Sequence, residues 1–315
     1  MGDTATFGVD LGGTNLRIAL VDPDGVVVAD RRRARPSTVE EIVDTIVSGV
    51  RDLAPQRPEA RSLGVGAAAL VDHDGTVHYS PHVPSLIDEP LRARLEDAVG
   101  LPAVVDNDAN VAVLAELVHG AARGCTEVLL VTLGTGIGGG VVTGGEVRRG
   151  AHGFGAEVGH FQVDPNGPVC NCGQRGHWET LASGNALGVL GRERAAAGAA
   201  PTVLAAADGS VDGITGVLIG DVAQSGAADA LAIVEEYAGR VAVGLVGLVN
   251  IFDPELIVVS GGLVELDDVL LAPMRAAFDG RIEGAAHRPE VPIVAAELGE
   301  QAGVVGAAVL ARELV

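Results

Sequence analysis

Apolar positions recur along the chain with two periods, and the two alternate. Thr6–Val9 and Leu16–Val21 read as strands, broken by the polar turn DLGGTN. Val26–Asp30 reads as a third strand after DPDG, Asp22–Gly25, which has hairpin chemistry. Ser37–Leu53 carries apolar residues at helical spacing, with Ser37 as its cap and Glu40 three residues later. Leu63–Val71 is nearly continuous apolar, like a buried strand. Pro90–Val99 is helical, Val104–Val105 is a short strand ending in DND, and Ala109–Val118 is again helical. This order predicts an α/β domain with a mixed sheet.

A second unit is predicted to start near Gly120. Glu127–Leu133 reads as a strand and runs into GTGIGGGVVTGG. The pattern strand, glycine turn, strand therefore occurs at residues 7–20 and again at 128–142, which predicts a duplicated module. Residues 150–180 lack regular periodicity, and residues 185–247 are Ala- and Gly-rich with helical spacing. Leu256–Val259 is a buried strand ending in SGG, Pro292–Ala296 a last strand, and Gly303–Leu314 a terminal helix. The most apolar stretch, Val241–Phe252, is interrupted by Asn250 and falls short of the roughly 20 residues a bilayer requires. The first residues have neither the basic start nor the apolar run of a secretory signal.

Charge narrows the function. Among 315 residues, 42 are acidic and 21 basic, for a net charge of −21. That balance argues against nucleic-acid backbones and anionic membrane surfaces. The one basic cluster, Arg31–Arg35, reads as a solvated strand end. Three cysteines cannot build a disulfide framework, so a reducing cytoplasm is the expected compartment. The 45 glycines, roughly twice the usual share of about 7%, require an explanation.

Two glycine loops follow apolar strands. In DLGGTN, Gly12 and Gly13 let backbone N–H groups approach an anion, Asp10 at the strand end can orient hydrated Mg²⁺, and Thr14 can donate to a phosphoryl oxygen. Thr132–Gly140 offers the same chemistry. Neither loop fits GxxxxGK[ST], and neither fits GxGxxG opening a helix. With the pair Gly261–Gly262 they point to a nucleotide held between domains; the competing reading is plain hairpins. DNDAN, Asp106–Asn110, lies at a strand end. Asp108 there can accept the proton of an attacking hydroxyl, and Asn107 can fix another hydroxyl, unless the acids only cap the helix. Asp106 is the weaker candidate.

His160, Cys170, Cys172 and His177 are spaced by ten, two and five residues. Two thiolates and two imidazoles suit one closed, structural Zn²⁺ site. Glu157 and Glu179 flank it, and a set of acids and amides selects for polyhydroxylated ligands. His160 can serve twice, one ring nitrogen on metal and the other toward a substrate hydroxyl.

Taken together, DLGGTN, DNDANVAVLAE, GTGIGGG, EVGH, CNCGQRGHWE, SGGL and GEQAGVVGAA resemble the ROK family of bacterial sugar kinases, repressors and related open reading frames, over essentially the whole chain. The resemblance implies an actin-like, ribonuclease-H-like two-domain α/β fold with a nucleotide and sugar cleft between the domains. The small domain would hold residues 1–118 and 301–315, the large one 119–300 with a zinc loop at about 157–180. It implies Mg-ATP as donor and transfer to a hexose 6-hydroxyl, glucose foremost, with Asp108 as base. Asn107, Glu157, His160 and Glu179 would hold other hydroxyls. Asp10 (with Mg²⁺), Gly12, Gly13, Thr14, Asn15, Thr135, Gly136, Gly261 and Gly262 would face the nucleotide. Homodimers, or dimers of dimers, are implied too. A repressor would need a DNA-binding region before DLGGTN, for which nine residues leave no room. Three departures stand out: His177 replaces a cysteine, Ala68–Ala69 replaces a frequent Pro-Gly pair, and Pro81–Leu86 places His82 and Leu86 where an amide and a large aromatic are usual. The last two lie near the expected sugar and leave another acceptor open: N-acetylmannosamine, another aminosugar, fructose or a cyclitol.

Overall fold

The computed structural model describes residues 4–81 and 83–314, so His82 lies outside the described residues. The first sheet contains β1 (Thr6–Leu11), β2 (Asn15–Val21), β3 (Val27–Ala34), β4 (Leu63–Ala67) and, after a two-stranded ribbon of β5 (Leu70–Val71) and β6 (Val77–Tyr79), β7 (Ala103–Asn107). Its order is β3-β2-β1-β4-β7. The hairpin strands pair antiparallel, while β1, β4 and β7 run parallel. The second sheet contains β8 (Val128–Leu133), β9 (Ile137–Thr143), β10 (Glu146–Val147), β11 (Leu256–Ser260) and β12 (Ile293–Ala295), in the order β10-β9-β8-β11-β12. It repeats the first position by position, with β8, β11 and β12 parallel. The duplicated module read from the glycine turns is present, and the strand order is the ribonuclease-H-like one, used twice.

Helices α1 (Val39–Leu53) and α3 (Asp108–His119) follow strands of the first sheet, and α2 (Leu91–Val99) lies between the ribbon and β7. Helices α4 (Glu179–Ala182), α5 (Gly184–Ala196), α6 (Pro201–Ala206), α7 (Gly216–Gln224), α8 (Ala228–Phe252) and α9 (Asp268–Phe278) lie between or after strands of the second, and α10 (Ala302–Ala311) comes last. Among the described residues, no helix is long and apolar enough to cross a membrane. Contacts group residues 4–126, 140–156 and 297–314 into one compact unit and residues 127–139 and 157–296 into another. The expected division was 1–118 with 301–315 against 119–300. Residues 140–156 account for much of the difference, because β9 carries the chain back to the first unit before the zinc segment begins.

Local chemistry explains the elements and several displaced boundaries. In α1, Val39, Ile42, Val43, Ile46, Val50 and Leu53 are buried on one stripe, as the spacing requires. Its cap is Thr38 rather than Ser37. The Thr38 hydroxyl accepts from Glu41 N–H at 3.3 Å, so the capping register slides one residue along. The apolar run Leu63–Val71 is two strands, broken at Ala68–Ala69, where Ala69 N–H turns back to Ala67 O at 2.8 Å. In the first unit α10 is buried almost all round and lies against the sheet. Gly8 and Gly64 face each other in register on β1 and β4. A Cβ on Gly8 would stand 1.9 Å from Val304 O, and one on Gly64 1.8 Å from Ala307 O. Only glycine at both places lets the helix backbone settle this close.

Candidate active site

In the first unit, β1 and β2 form a hairpin with Gly12–Thr14 at its tip. Gly12 N–H donates to Asn15 O at 3.0 Å, and Arg35 Nε donates to Gly13 O at 2.8 Å. Arg35 belongs to the cluster read as solvated, yet it pins the loop from behind. Gly13 is half-buried, and Thr14 and Asn15 are exposed. Asp10 stands beside Arg17 in the ladder. Burial pushes its carboxyl above the usual range, against the pull of Arg17 and Arg32. Arg17 is itself held by Asp30 Oδ2 at 2.6 Å and Glu300 O at 3.0 Å. A carboxyl that burial disfavours as an anion, at the base of a glycine turn, suits a divalent cation carried with a polyanion.

β7 delivers DND to the start of α3, and the three residues divide their work. Asn107 is the helix cap: its Oδ1 accepts from Ala109 and Asn110 N–H at 2.8 and 3.2 Å. Its Nδ2 gives one hydrogen to Ala69 O at 3.2 Å, which leaves one for a ligand hydroxyl. Asp106 is buried. It accepts from Asn107 N–H at 2.7 Å, Asn110 Nδ2 at 2.9 Å and Arg149 Nε at 2.6 Å. That spends it on holding the turn. Asp108 is the first helical residue, half-buried, with Oδ1 accepting its neighbour Ala109 N–H at 2.9 Å. Leu86, expected beside the ligand, is instead 1% exposed and part of the hydrophobic core, so this departure fills the core.

β8 and β9 form the matching hairpin, and its turn, residues 134–136, belongs to the second unit. Gly134 N–H donates to Gly136 O at 3.1 Å, and Gly138 N–H to Thr132 Oγ1 at 2.9 Å. A cavity of about 520 Å³ opens beside it, lined by Gly134, Thr135, Thr215, Asp221, Gln224 and Gly262 among others. Three of these were anticipated. Thr215, Asp221 and Gln224 come from α7 and its cap, where plain helical spacing gave no sign of a ligand. Gly261 turns with φ +93° to bring its neighbour there. A cavity of about 720 Å³ lies elsewhere in this unit, around Phe278, Arg288 and Ile293, and carries none of the anticipated residues.

The metal-type residues do converge. Ligand atoms of His160, Cys170, Cys172 and His177 all lie within 4.8 Å of one another. His160 Nδ1 is 3.2 Å from His177 Nδ1, Cys172 Sγ is 3.3 Å from that nitrogen, and Cys170 Sγ is 3.8 Å from His160 Nδ1. Around tetrahedral Zn²⁺ such atoms stand roughly 3.3–3.8 Å apart. Burial pushes the Cys170 thiol up to about 11, and burial with His160 lowers His177. Two thiols and two imidazoles converging in this way are the donor set of a closed tetrahedral site, so the residues fit zinc. With Nδ1 turned to the cluster, the Nε2 of His160 is left for another partner. Trp178, fully buried, anchors the segment through Nε1 to Arg240 O at 3.2 Å. Glu157 is half-buried, and burial raises its carboxyl, with His160 lowering it and Glu179 raising it further. Glu179 spends Oε2 on Ile137 N–H at 2.9 Å.

Known proteins resemble this chain over nearly its whole length. The model of the ROK family matches residues 6–314. The chain is 41% identical to the glucokinase of Streptomyces coelicolor over 98% of both chains. It is 34% identical to that of Thermotoga maritima, covering 98% of this chain and 97% of the other. The crystal structure of a ROK family glucokinase from Streptomyces griseus, in complex with glucose and AMPPNP, superposes with a TM-score of 0.88 at 41% identity, covering 98% of this chain and 99% of that one.

Proposed function

This chain belongs to the ROK family, and from that premise we propose that it phosphorylates glucose to glucose 6-phosphate at the expense of ATP. Asp108 takes the proton of the 6-hydroxyl. The freed oxygen pair bonds to the γ-phosphorus, the bond from that phosphorus to the β,γ-bridging oxygen breaks, and ADP leaves with those electrons. One observation carries the assignment: Asp106, the other acid of DND, is consumed by Arg149, Asn110 and the turn itself.

The remaining residues bind and orient. Asn107 offers one N–H, while Glu157, His160 and Glu179 hold other sugar hydroxyls. Gly12, Gly13, Thr14 and Asn15 on one hairpin and Thr135 and Gly136 on the other meet the phosphates, with Gly261 and Gly262 on the nucleoside side. Asp10 orients Mg²⁺, which offsets the phosphate charge when bound with ATP. His160, Cys170, Cys172 and His177 hold a structural zinc that fastens an otherwise irregular loop. We also propose that the protein acts as a homodimer and does not bind nucleic acid; its charge of −21 supports the latter. The test is chemical. Purified protein with Mg-ATP and a hexose panel should release ADP fastest with glucose, and phosphorus NMR should place the new phosphate on O6. A different preferred acceptor, or no ADP release, would overturn the reading.

A further inference from the structure

The second glycine loop is gripped from outside, and the grip comes from the metal segment. Only residues 134–136 separate β8 from β9. At the loop's end, Ile137 N–H donates to Glu179 Oε2 at 2.9 Å. Gly136 lies so close that a Cβ there would stand 2.2 Å from the same oxygen. On the other side a Cβ on Gly159 would stand 2.2 Å from Ile137 O. Glu179 follows His177 by two residues, and Gly159 directly precedes His160. The second carboxylate oxygen, Oε1, is 3.6 Å from Cys170 Sγ. One oxygen thus faces the loop and the other the metal cluster.

The mount is stiff. Glu179 opens α4 directly after buried Trp178, and Tyr237 donates to Ala182 O at the end of that short helix at 2.6 Å. A carboxylate held at its base fixes whatever its oxygen holds. Loss of that acceptor strands a half-buried backbone N–H and frees the loop.

We infer that Glu179 is a positioning residue of the phosphate loop, joining Thr135–Gly136 to the zinc cluster, beyond its role toward sugar hydroxyls. The inference rests on the kinase reading above. Its consequence is that nucleotide affinity depends on Glu179 even with no sugar present.

The experiment is a calorimetric titration of Mg-AMPPNP into sugar-free protein, for wild type, Glu179→Gln and Glu179→Ala, with zinc content measured on each. Gln keeps an acceptor for Ile137 N–H; Ala does not. The expected result is affinity within about twofold of wild type for Gln and roughly tenfold weaker for Ala. Equal affinity for wild type and Ala would overturn the inference, as would equal loss in both variants. Failure of the kinase reading looks different: wild type itself would not bind the nucleotide. Should Glu179→Ala not fold, amide hydrogen exchange on the wild type decides. Chelating the metal should speed exchange at Ile137 by at least about tenfold, and unchanged exchange would contradict the link.

Discussion

Arg149 Nε and Asp106 Oδ2 meet at 2.6 Å, with the Asp106 side chain 6% exposed. The bond ties the segment after β10 to the turn that presents Asp108. Replacing Arg149 by Met leaves a buried carboxylate without its cation. It should cost about 2–4 kcal/mol in urea unfolding, and kcat should fall more than the KM for ATP rises. Adding Asp106→Asn should recover part of the stability, because the stranded charge is gone. Additive losses in the double variant would refute this account of the pair.

Packing in the first unit makes a second prediction. Gly64→Ala forces a methyl into the backbone of α10 at Ala307, so either the helix or the sheet must move. The expected loss is about 3 kcal/mol in unfolding free energy. A change below measurement error would show that the helix does not lie there.

Asp10 sets stability against function. Burial raises its carboxyl above the usual range. Below that range both folded and unfolded chains hold the proton, and burial costs nothing. As pH rises, the unfolded chain ionises first and stability falls, until the folded carboxyl has ionised too; above that the penalty is constant. Asp10→Asn removes it. In metal-free buffer near neutral pH, the variant should melt no lower than wild type, while turnover collapses for want of a ligand for Mg²⁺. A clearly lower melting temperature would contradict the burial argument.

Metal content makes a fourth test. Elemental analysis should find one zinc per chain. Chelation should lower the melting temperature by several degrees, and Cys172→Ser should lower zinc occupancy. A metal-free sample as stable as the native one would reject the four-residue site.

Much of this is legible in the sequence. The two glycine turns after apolar strands marked the two hairpins, because a hairpin is a local event with local chemistry. The four ligand-type residues announced themselves by residue type alone. Arg35 and Arg149 did not, since an arginine within a charged run looks the same whether it faces water or a loop carbonyl. Thr215, Asp221 and Gln224 were hidden for a related reason: helical spacing shows which face is apolar, not what comes to rest beside it. Gly8 and Gly64 look like ordinary strand residues in the sequence, because α10, which lies against them, comes more than 230 residues later. The swap of Thr38 for Ser37 as cap is the one-residue uncertainty of two adjacent hydroxyls. Asn107 caps α3 through its Oδ1, a use of the amide that composition alone could not reveal.

The central claim is that Asp108 is the base. The direct measurement is initial ADP release from Mg-ATP and glucose by wild type and Asp108→Ala, with Mg-AMPPNP affinity determined on both. The account predicts a fall in turnover of about 10²–10⁴-fold with nucleotide affinity unchanged. Turnover within about tenfold of wild type would contradict it and return the proton to another group.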